Sequence, residues 1–196
     1  MNNLVSLEKK INSELTTKIK ESKIKHDQLY LTIDSDDLLD VILFLKTNKD
    51  TKFRQLIDIT AVDYLENSKR FKIVYLFLSH EINQRIILNY FINENEVVSS
   101  LTKIFPAANW MEREVFDMYG IKFKNHPDLR RILTDYGFEG YPLRKDFPLT
   151  GYNEVRYSED EKKVIYESVK LEQNYRNFDF ESPWEGTKYI KEQTKK

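Results

Sequence analysis

Apolar positions recur with clear periods along the first 105 residues, which also lack the strongest local breakers: all five glycines and all five prolines lie beyond that point. Leu4, Leu7, Ile11, Leu15 and Ile19 repeat at three- and four-residue spacing and predict an amphipathic helix within residues 1–26. Residues 29–33 read as a short strand. Ser35-Asp36-Asp37 then offers an N-cap and first-turn acids to a helix carrying Leu38, Leu39, Ile42 and Leu45. Three strands are predicted at 55–65, 71–79 and 85–92, with connections short enough for antiparallel hairpins. In the second, Phe71, Ile73, Tyr75 and Phe77 alternate with Val74, Leu76 and Leu78, so both faces are apolar and the strand belongs inside the sheet. Residues 96–105 place Val97, Leu101 and Ile104 on one face and predict a helix that Pro106 stops.

The chain changes character after Pro106. Asn109 with Glu112 has capping-box spacing and opens a helix through Tyr119, after which Gly120 fits the C′ position and Ile121 its apolar contact. Residues 121–152 are turn-rich, 163–171 read as one more strand, and 172–196 are polar and extended with isolated aromatics. The expected architecture is α+β: a two-layer α/β arrangement with a mainly antiparallel sheet and flanking helices, then a turn-rich region and an extended C-terminal tail. It divides into an N-terminal amphipathic helix (1–26), a core domain (27–123) and a turn-rich segment with a partner-binding tail (124–196).

Composition narrows what such a chain does. Lys and Arg number 31 against 32 Asp and Glu, so no global field draws in nucleic acid. The absence of cysteine excludes disulfides, thiolate nucleophiles and cysteine-ligated zinc or iron–sulfur clusters held by this chain itself. Its apolar runs fall far short of the roughly 20 residues that span a bilayer. The first residues resemble neither a signal nor a transit peptide, which places the expected location on the side of the membrane where the chain is made. No dinucleotide, P-loop or nucleophile-elbow motif occurs, and the Gly137-Phe138-Glu139-Gly140 turn carries an acid that would repel phosphate.

Candidate chemistry concentrates between residues 112 and 156. Glu112, Arg113, Glu114 and Asp117 share one short helix, and His126 and Asp128 follow closely. Glu114, Asp117, His126 and Asp128 together have the ligand types of a stand-alone metal-dependent enzyme. Arg113, Arg130, Arg131, Arg144, Lys145 and Arg156 lie in the same stretch with Asp146, and from 112 to 156 eight acids face eight bases. Guanidinium forks pair bidentately with carboxylates, so a structural ion-pair network outweighs a metal or catalytic site. Asp58 and Asp63, five apart on a strand, point to opposite faces and are read as structural. In the polar tail Tyr175, Phe178, Phe180 and Trp184 have no common period, which suits anchors for a partner as well as staples within the chain.

Three motifs are recognisable as they stand: residues 112–123 (EREVFDMYGIKF), 126–133 (HPDLRRIL) and 140–148 (GYPLRKDFP), continued by Glu154-Val155-Arg156-Tyr157 and by Phe178-Asp179-Phe180-Glu181-Ser182-Pro183-Trp184-Glu185-Gly186. They resemble the C-subunit family of proton-translocating NADH-quinone oxidoreductase, respiratory complex I, in its ubiquinone-linked bacterial and mitochondrial form. The resemblance covers most of residues 29–186, including Asp58-Ile59-Thr60-Ala61-Val62-Asp63-Tyr64. It implies a peripheral-arm subunit that supports assembly and the quinone-reducing module and binds no cofactor of its own. FMN and iron–sulfur clusters would sit on partner subunits, with NADH and quinone as substrates of the whole complex. It further implies an extended tail lying along the complex's D subunit, contact with its B subunit, and membrane association only through the complex, on the cytoplasmic face of a bacterial inner membrane or the matrix side of a mitochondrial one. The equivalent subunit of a plastoquinone-linked NDH complex or of a complex-I-type hydrogenase is the nearer alternative. On this reading the residues from Glu112 to Arg156, with Phe178, Phe180 and Trp184, form a structural or interface network and not a catalytic site.

Overall fold

A computed structural model of the chain describes residues 2–173, so the aromatic tail with Phe178, Phe180 and Trp184 lies outside the described residues. The chain divides into two compact units, Met1–Gly151 and Tyr152–Lys196.

The first unit is built on a five-stranded sheet. Helix α1 (Asn2–Glu14) leads into strand β1 (Ile19–Lys25) and strand β2 (Gln28–Ile33); helix α2 (Leu38–Thr47) crosses to strand β3 (Gln55–Asp63), followed by β4 (Phe71–Ser79) and β5 (Gln84–Ile92). The strand order is β1-β2-β5-β4-β3, antiparallel throughout except for β2 beside β5. The crossover through α2 carries the chain from β2 to the far edge, and two hairpins bring it back. The interior position expected for β4 holds. The fold is the α+β class that the patterning implies.

One face of the sheet forms the core. Leu29, Leu31 and Ile33 from β2, Phe71, Ile73, Tyr75 and Phe77 from β4, and Ile86, Leu88, Tyr90 and Ile92 from β5 are all buried, with Leu4, Leu7, Ile11 and Leu15 of the N-terminal segment and Leu38, Val41, Ile42 and Leu45 of α2 in the same cluster. Fully burying each such side chain is worth about 1.5–3 kcal/mol, which makes this cluster the main source of stability.

Several elements differ from the patterning. The N-terminal segment is not one helix: α1 ends at Glu14 and β1 follows. β1 is an edge strand with mostly exposed side chains, so no apolar alternation marks it. His26 and Asp27, both with positive φ, make the two-residue turn into β2. Ser35 does not cap α2; it opens a single 3-10 turn, and its hydroxyl donates to Glu96 Oε1 at 2.9 Å. No helix spans 96–105. Val97–Ser99 forms strand β6, parallel to strand β7 (Lys122–Lys124), and Leu101 and Phe105 are drawn into the core through a turn.

Helix α3 (Ala108–Tyr119) comes next, and it carries no capping box. Its N-cap position is Ala107, without a side-chain bond, because Glu112 reaches instead to the amide of Leu101. Its C-terminus is as expected: Gly120 sits in the left-handed region at φ 78°, its amide donates to Phe116 O, and Ile121 is buried. Residues 125–151 then run without regular secondary structure. The second unit contains a hairpin of strands β8 (Asn153–Ser158) and β9 (Lys163–Ser168); the expected strand at 163–171 finds its partner in a segment the patterning left unassigned. No helix among the described residues is long and apolar enough to cross a membrane.

Candidate functional site: a segment stapled by carboxylates

Residues 125–151 have almost no backbone ladder of their own, so their order comes from side chains. Two buried carboxylates do most of this. Asp117, on the inner side of α3 and fully buried, accepts the amides of Ile132, Leu133 and Thr134 on Oδ2 at 2.8–3.0 Å, and the Thr134 hydroxyl at 2.6 Å and Arg131 Nη1 at 3.1 Å on Oδ1. Burial pushes its pKa up, but the Thr134 hydroxyl and the three amides outweigh that, and it falls below the ordinary carboxylate value. Arg131 continues the staple, donating to Gly140 O at 2.9 Å with its guanidinium over the rings of Tyr141 and Phe138.

The second staple was only partly visible in the sequence, where Arg144, Lys145 and Asp146 stand in the charged run and Asp63 reads as structural, but Arg70 and Glu94 give no sign of joining them. Asp63, at the end of β3, takes a bidentate pair of 2.8 Å bonds from Arg70 Nε and Nη2, and a third at 2.8 Å from the Lys145 amide. Lys145 thus joins the network through its backbone. Arg70 also donates to Asp146 at 2.8 Å and Glu94 at 3.3 Å, and Arg144 donates to Glu94 at 2.7 Å and to the Tyr119 carbonyl at 2.6 Å. The Arg70 bonds hold both Asp63 and Asp146 below the usual carboxylate range and raise the guanidinium's own pKa. A Cβ on Gly120 would lie 2.7 Å from the Tyr141 ring and 2.8 Å from Arg144 Nη2, so glycine is needed there for space as well as for φ.

The other residues of this charged run serve different ends. Arg113 donates to the carbonyls of Arg130 and Arg131 at 3.0 Å each, so it holds backbone and not a carboxylate. Arg130 pairs with Asp128 at 2.8 Å, both exposed, and Glu114 is exposed. Arg156 lies in the second unit and pairs across its hairpin with Glu167 at 2.5 Å. The His126 ring is buried; its Nδ1 accepts the Asp128 amide at 3.1 Å, which leaves Nε2 to donate to Asn109 O at 3.0 Å. The metal-enzyme reading therefore fails on geometry. Asp117 is saturated by amides, both imidazole nitrogens are engaged, Asp128 is paired, and among the described residues no three His, Asp or Glu side chains could hold a metal together.

Glu112 stands apart. It lies on the same buried face of α3 as Ala108 and Val115, its side chain fully inside. Oε1 accepts the Leu101 amide at 2.6 Å, while Oε2 makes no hydrogen bond and lies 3.9 Å from His126 Nε2. Burial pushes its pKa up to about 7, against the opposing pull of the Ser100 hydroxyl and the Leu101 amide.

While Arg131 and a run of its backbone amides turn inward, the stapled segment turns several large apolar side chains outward. Leu133, Leu143, Leu149 and Tyr136 are all exposed, Tyr136 completely and Leu149 at 95 %, and Trp110 of α3 is 70 % exposed. Surfaces of this kind mark protein–protein contact. The class defined by fold and site is an α+β domain carrying an irregular, side-chain-stapled segment with exposed apolar residues.

Residues 31–153 match the family described as respiratory-chain NADH dehydrogenase, 30 Kd subunit, and the chain belongs to that family. Proteins named as the C subunit of NADH-quinone oxidoreductase are close relatives. That of Ruegeria pomeroyi is 60 % identical over 163 residues, 83 % of this chain and 82 % of its own. That of Dinoroseobacter shibae is 57 % identical over 169 residues (86 % and 79 %), and that of Chelativorans 48 % over 180 (92 % and 90 %). A chain in the structure of the membrane-bound sulfane sulfur reductase, an archaeal respiratory membrane complex, shares the fold with a TM-score of 0.64 at 24 % identity, over 74 % of this chain and 85 % of that one.

Proposed function

We infer that the chain is a peripheral-arm subunit of an NADH-quinone oxidoreductase, a scaffold that holds the quinone-reducing module together while redox chemistry proceeds on its partners. The observation that carries this is the irregular segment 128–151, held by Arg131 and backbone amides bonded to Asp117 and Asp63, with Leu133, Tyr136, Leu143 and Leu149 facing solvent. An enzyme site needs an unspent acid, base or nucleophile in a cleft. A docking surface needs rigid apolar projections with little entropy left to lose. On this reading FMN and iron–sulfur clusters belong to neighbouring subunits, the chief partner is the D subunit with the B subunit second, and the chain reaches the cytoplasmic face of the membrane only through the complex. The names of the relatives support an NADH-linked, quinone-reducing enzyme over a hydrogenase.

The test is a tagged pull-down from gently solubilised membranes, with partners identified by mass and the eluate assayed for inhibitor-sensitive NADH:quinone reductase activity. The wild-type chain should recover flavin- and cluster-bearing subunits with that activity. Tyr136→Asp with Leu149→Asp should lose them while the isolated chain keeps its melting temperature, because both side chains are already in water. A wild-type chain that elutes alone overturns the assignment.

A further inference from the structure

The core accounts for one face of the five-stranded sheet, and the other face is apolar too. Register sets Leu76 of β4 beside Ile87 of β5, Leu78 beside Arg85, and Lys72 between Val62 of β3 and Phe91 of β5, and neighbours across strands share a face. On that outer face Val74, Leu76, Leu78, Ile87 and Phe91 are each partly exposed and Val62 is 38 % exposed. The buried apolar residues of α1, α2 and α3 all belong to the cluster on the opposite face, and none of these six is part of it. An antiparallel sheet with one solvated face ordinarily alternates apolar in with polar out. The interior strands β4 and β5 break that alternation, as strands do when both faces are to be covered.

One charge sits inside the patch. Lys72 is partly buried with Nζ 5.5 Å from the centre of the Phe91 ring, and it makes no ion pair among the described residues. Burial and the nearby Lys23 push its pKa down against the pull of Glu21, and Glu21 is itself paired with Lys23 at 3.0 Å. The other acid on this face, Asp58, stands beside Leu76, four residues and about 13 Å along β3 from the neighbour of Lys72. An ammonium partly withdrawn from water among apolar side chains calls for a carboxylate to offset its desolvation. We propose that the outer sheet face is a docking surface separate from residues 124–196, and that its occupant is another subunit of the complex, presenting aliphatic side chains around one Asp or Glu that meets Lys72. The inference rests on the chain being a subunit of such a complex. Charge selects this occupant over a second copy, because two such faces in contact would bring Lys72 and Lys23 against the same ammonium groups.

The experiment places a photo-crosslinking phenylalanine analogue at Phe91 of the tagged full chain in cells, with the same probe at Tyr136 as a second arm, and maps adducts by peptide mass. The expected result is an adduct from position 91 to another protein of the complex, on a peptide with aliphatic residues around an Asp or Glu. Lys72→Glu should lower recovery of that partner about tenfold, and Lys72→Met, which keeps an apolar stem over Phe91, should lower it by a smaller factor. Replacing the mapped carboxylate by Lys should restore recovery with the Lys72→Glu chain and lower it with the wild type. Rescue also shows that the Lys72→Glu chain is folded. An adduct confined to this chain, an adduct to a lipid or to a second copy carrying a different tag, no adduct where the Tyr136 probe gives one, or failure of the rescue overturns the proposal. If the wild-type chain still recovers active complex in that case, only the sheet-face assignment fails and complex membership stands.

Discussion

In the sheet domain β4 turns Phe71, Ile73, Tyr75 and Phe77 inward against other apolar side chains. In residues 128–151 the guanidiniums of Arg131 and Arg144 and the amides of Ile132, Leu133, Thr134 and Lys145 turn inward, and Leu133, Tyr136 and Leu149 turn outward. The first arrangement is held by a non-directional force that tolerates small shifts. The second is held by bonds of fixed geometry that set one conformation of an otherwise irregular chain. A region that must fold needs the first. A region that must present a defined shape to a partner needs the second, since it gains nothing from its own apolar residues until the partner arrives.

The largest expected effect tests whether the staples are local. Asp117→Ala removes the acceptor for three amides, the Thr134 hydroxyl and Arg131, and leaves that guanidinium uncompensated, at a cost of about 3–5 kcal/mol. If the segment is stapled onto a domain that folds without it, the loss falls on residues 131–140. Amide hydrogen exchange at Ile132, Leu133 and Thr134 should then accelerate by orders of magnitude while exchange in β4 and β5 barely moves. Equal acceleration in β4 would mean that the segment and the sheet form one cooperative unit.

The sheet strands β3, β4 and β5 and the helix through Tyr119 were legible because burial on one face leaves a period in the sequence. β1 left none, since an edge strand with two solvated faces has no apolar alternation to display. The helix expected at 96–105 rested on Val97, Leu101 and Ile104 and failed for a tertiary reason: Val97 is exposed on a short strand, and the strand and the turns after it drop Val98, Leu101 and Phe105 into the core instead. The site was half legible. Asp117, Arg131, Arg144 and Asp146 stand in a dense run of charge, but Asp63, Arg70 and Glu94 lie tens of residues away and look like ordinary strand-end polar residues. The one usable signal was the placing of Asp63 and Arg70 at the two ends of the β3–β4 loop, where a hairpin must bring them together.

A smaller effect comes from Glu112, a buried carboxyl group with one oxygen that makes no hydrogen bond. Glu112 has a folded-state pKa of about 7 against an ordinary value of 4.5. The folded chain therefore holds a proton that the unfolded chain releases, so stability falls as pH rises from about 4.5 to about 7 and then levels off. The full penalty is up to about 3 kcal/mol above pH 7. Glu112→Gln keeps an oxygen for the Leu101 amide and cannot ionise, so it should raise the urea midpoint at pH 8 and leave it nearly unchanged at pH 4.5. Midpoints of variant and wild type that run parallel across this range would show that Glu112 ionises as freely inside the fold as outside it. The carboxylates of the staples behave oppositely: Asp63 and Asp117 have lowered pKa values, so their contribution is present at neutral pH and is lost as pH falls below the ordinary carboxylate value and through their own.

The smallest effect separates staples from ornament within the same run of charge. Arg130 and Asp128 are 2.8 Å apart, as close as Arg70 and Asp63, yet their side chains are 71 % and 55 % exposed where those of Arg70 and Asp63 are 9 % and 0 %. Water solvates both partners of the exposed pair when the bond breaks, and freeing two side chains regains rotamer entropy, so such a pair is worth about 0–1 kcal/mol. Asp128→Ala should shift the denaturation midpoint by less than about 0.5 kcal/mol in free energy, since the Asp128 amide that bonds His126 Nδ1 is retained. A loss as large as that of Asp117→Ala would mean that distance alone, and not enclosure, decides which ion pairs hold residues 128–151 in place.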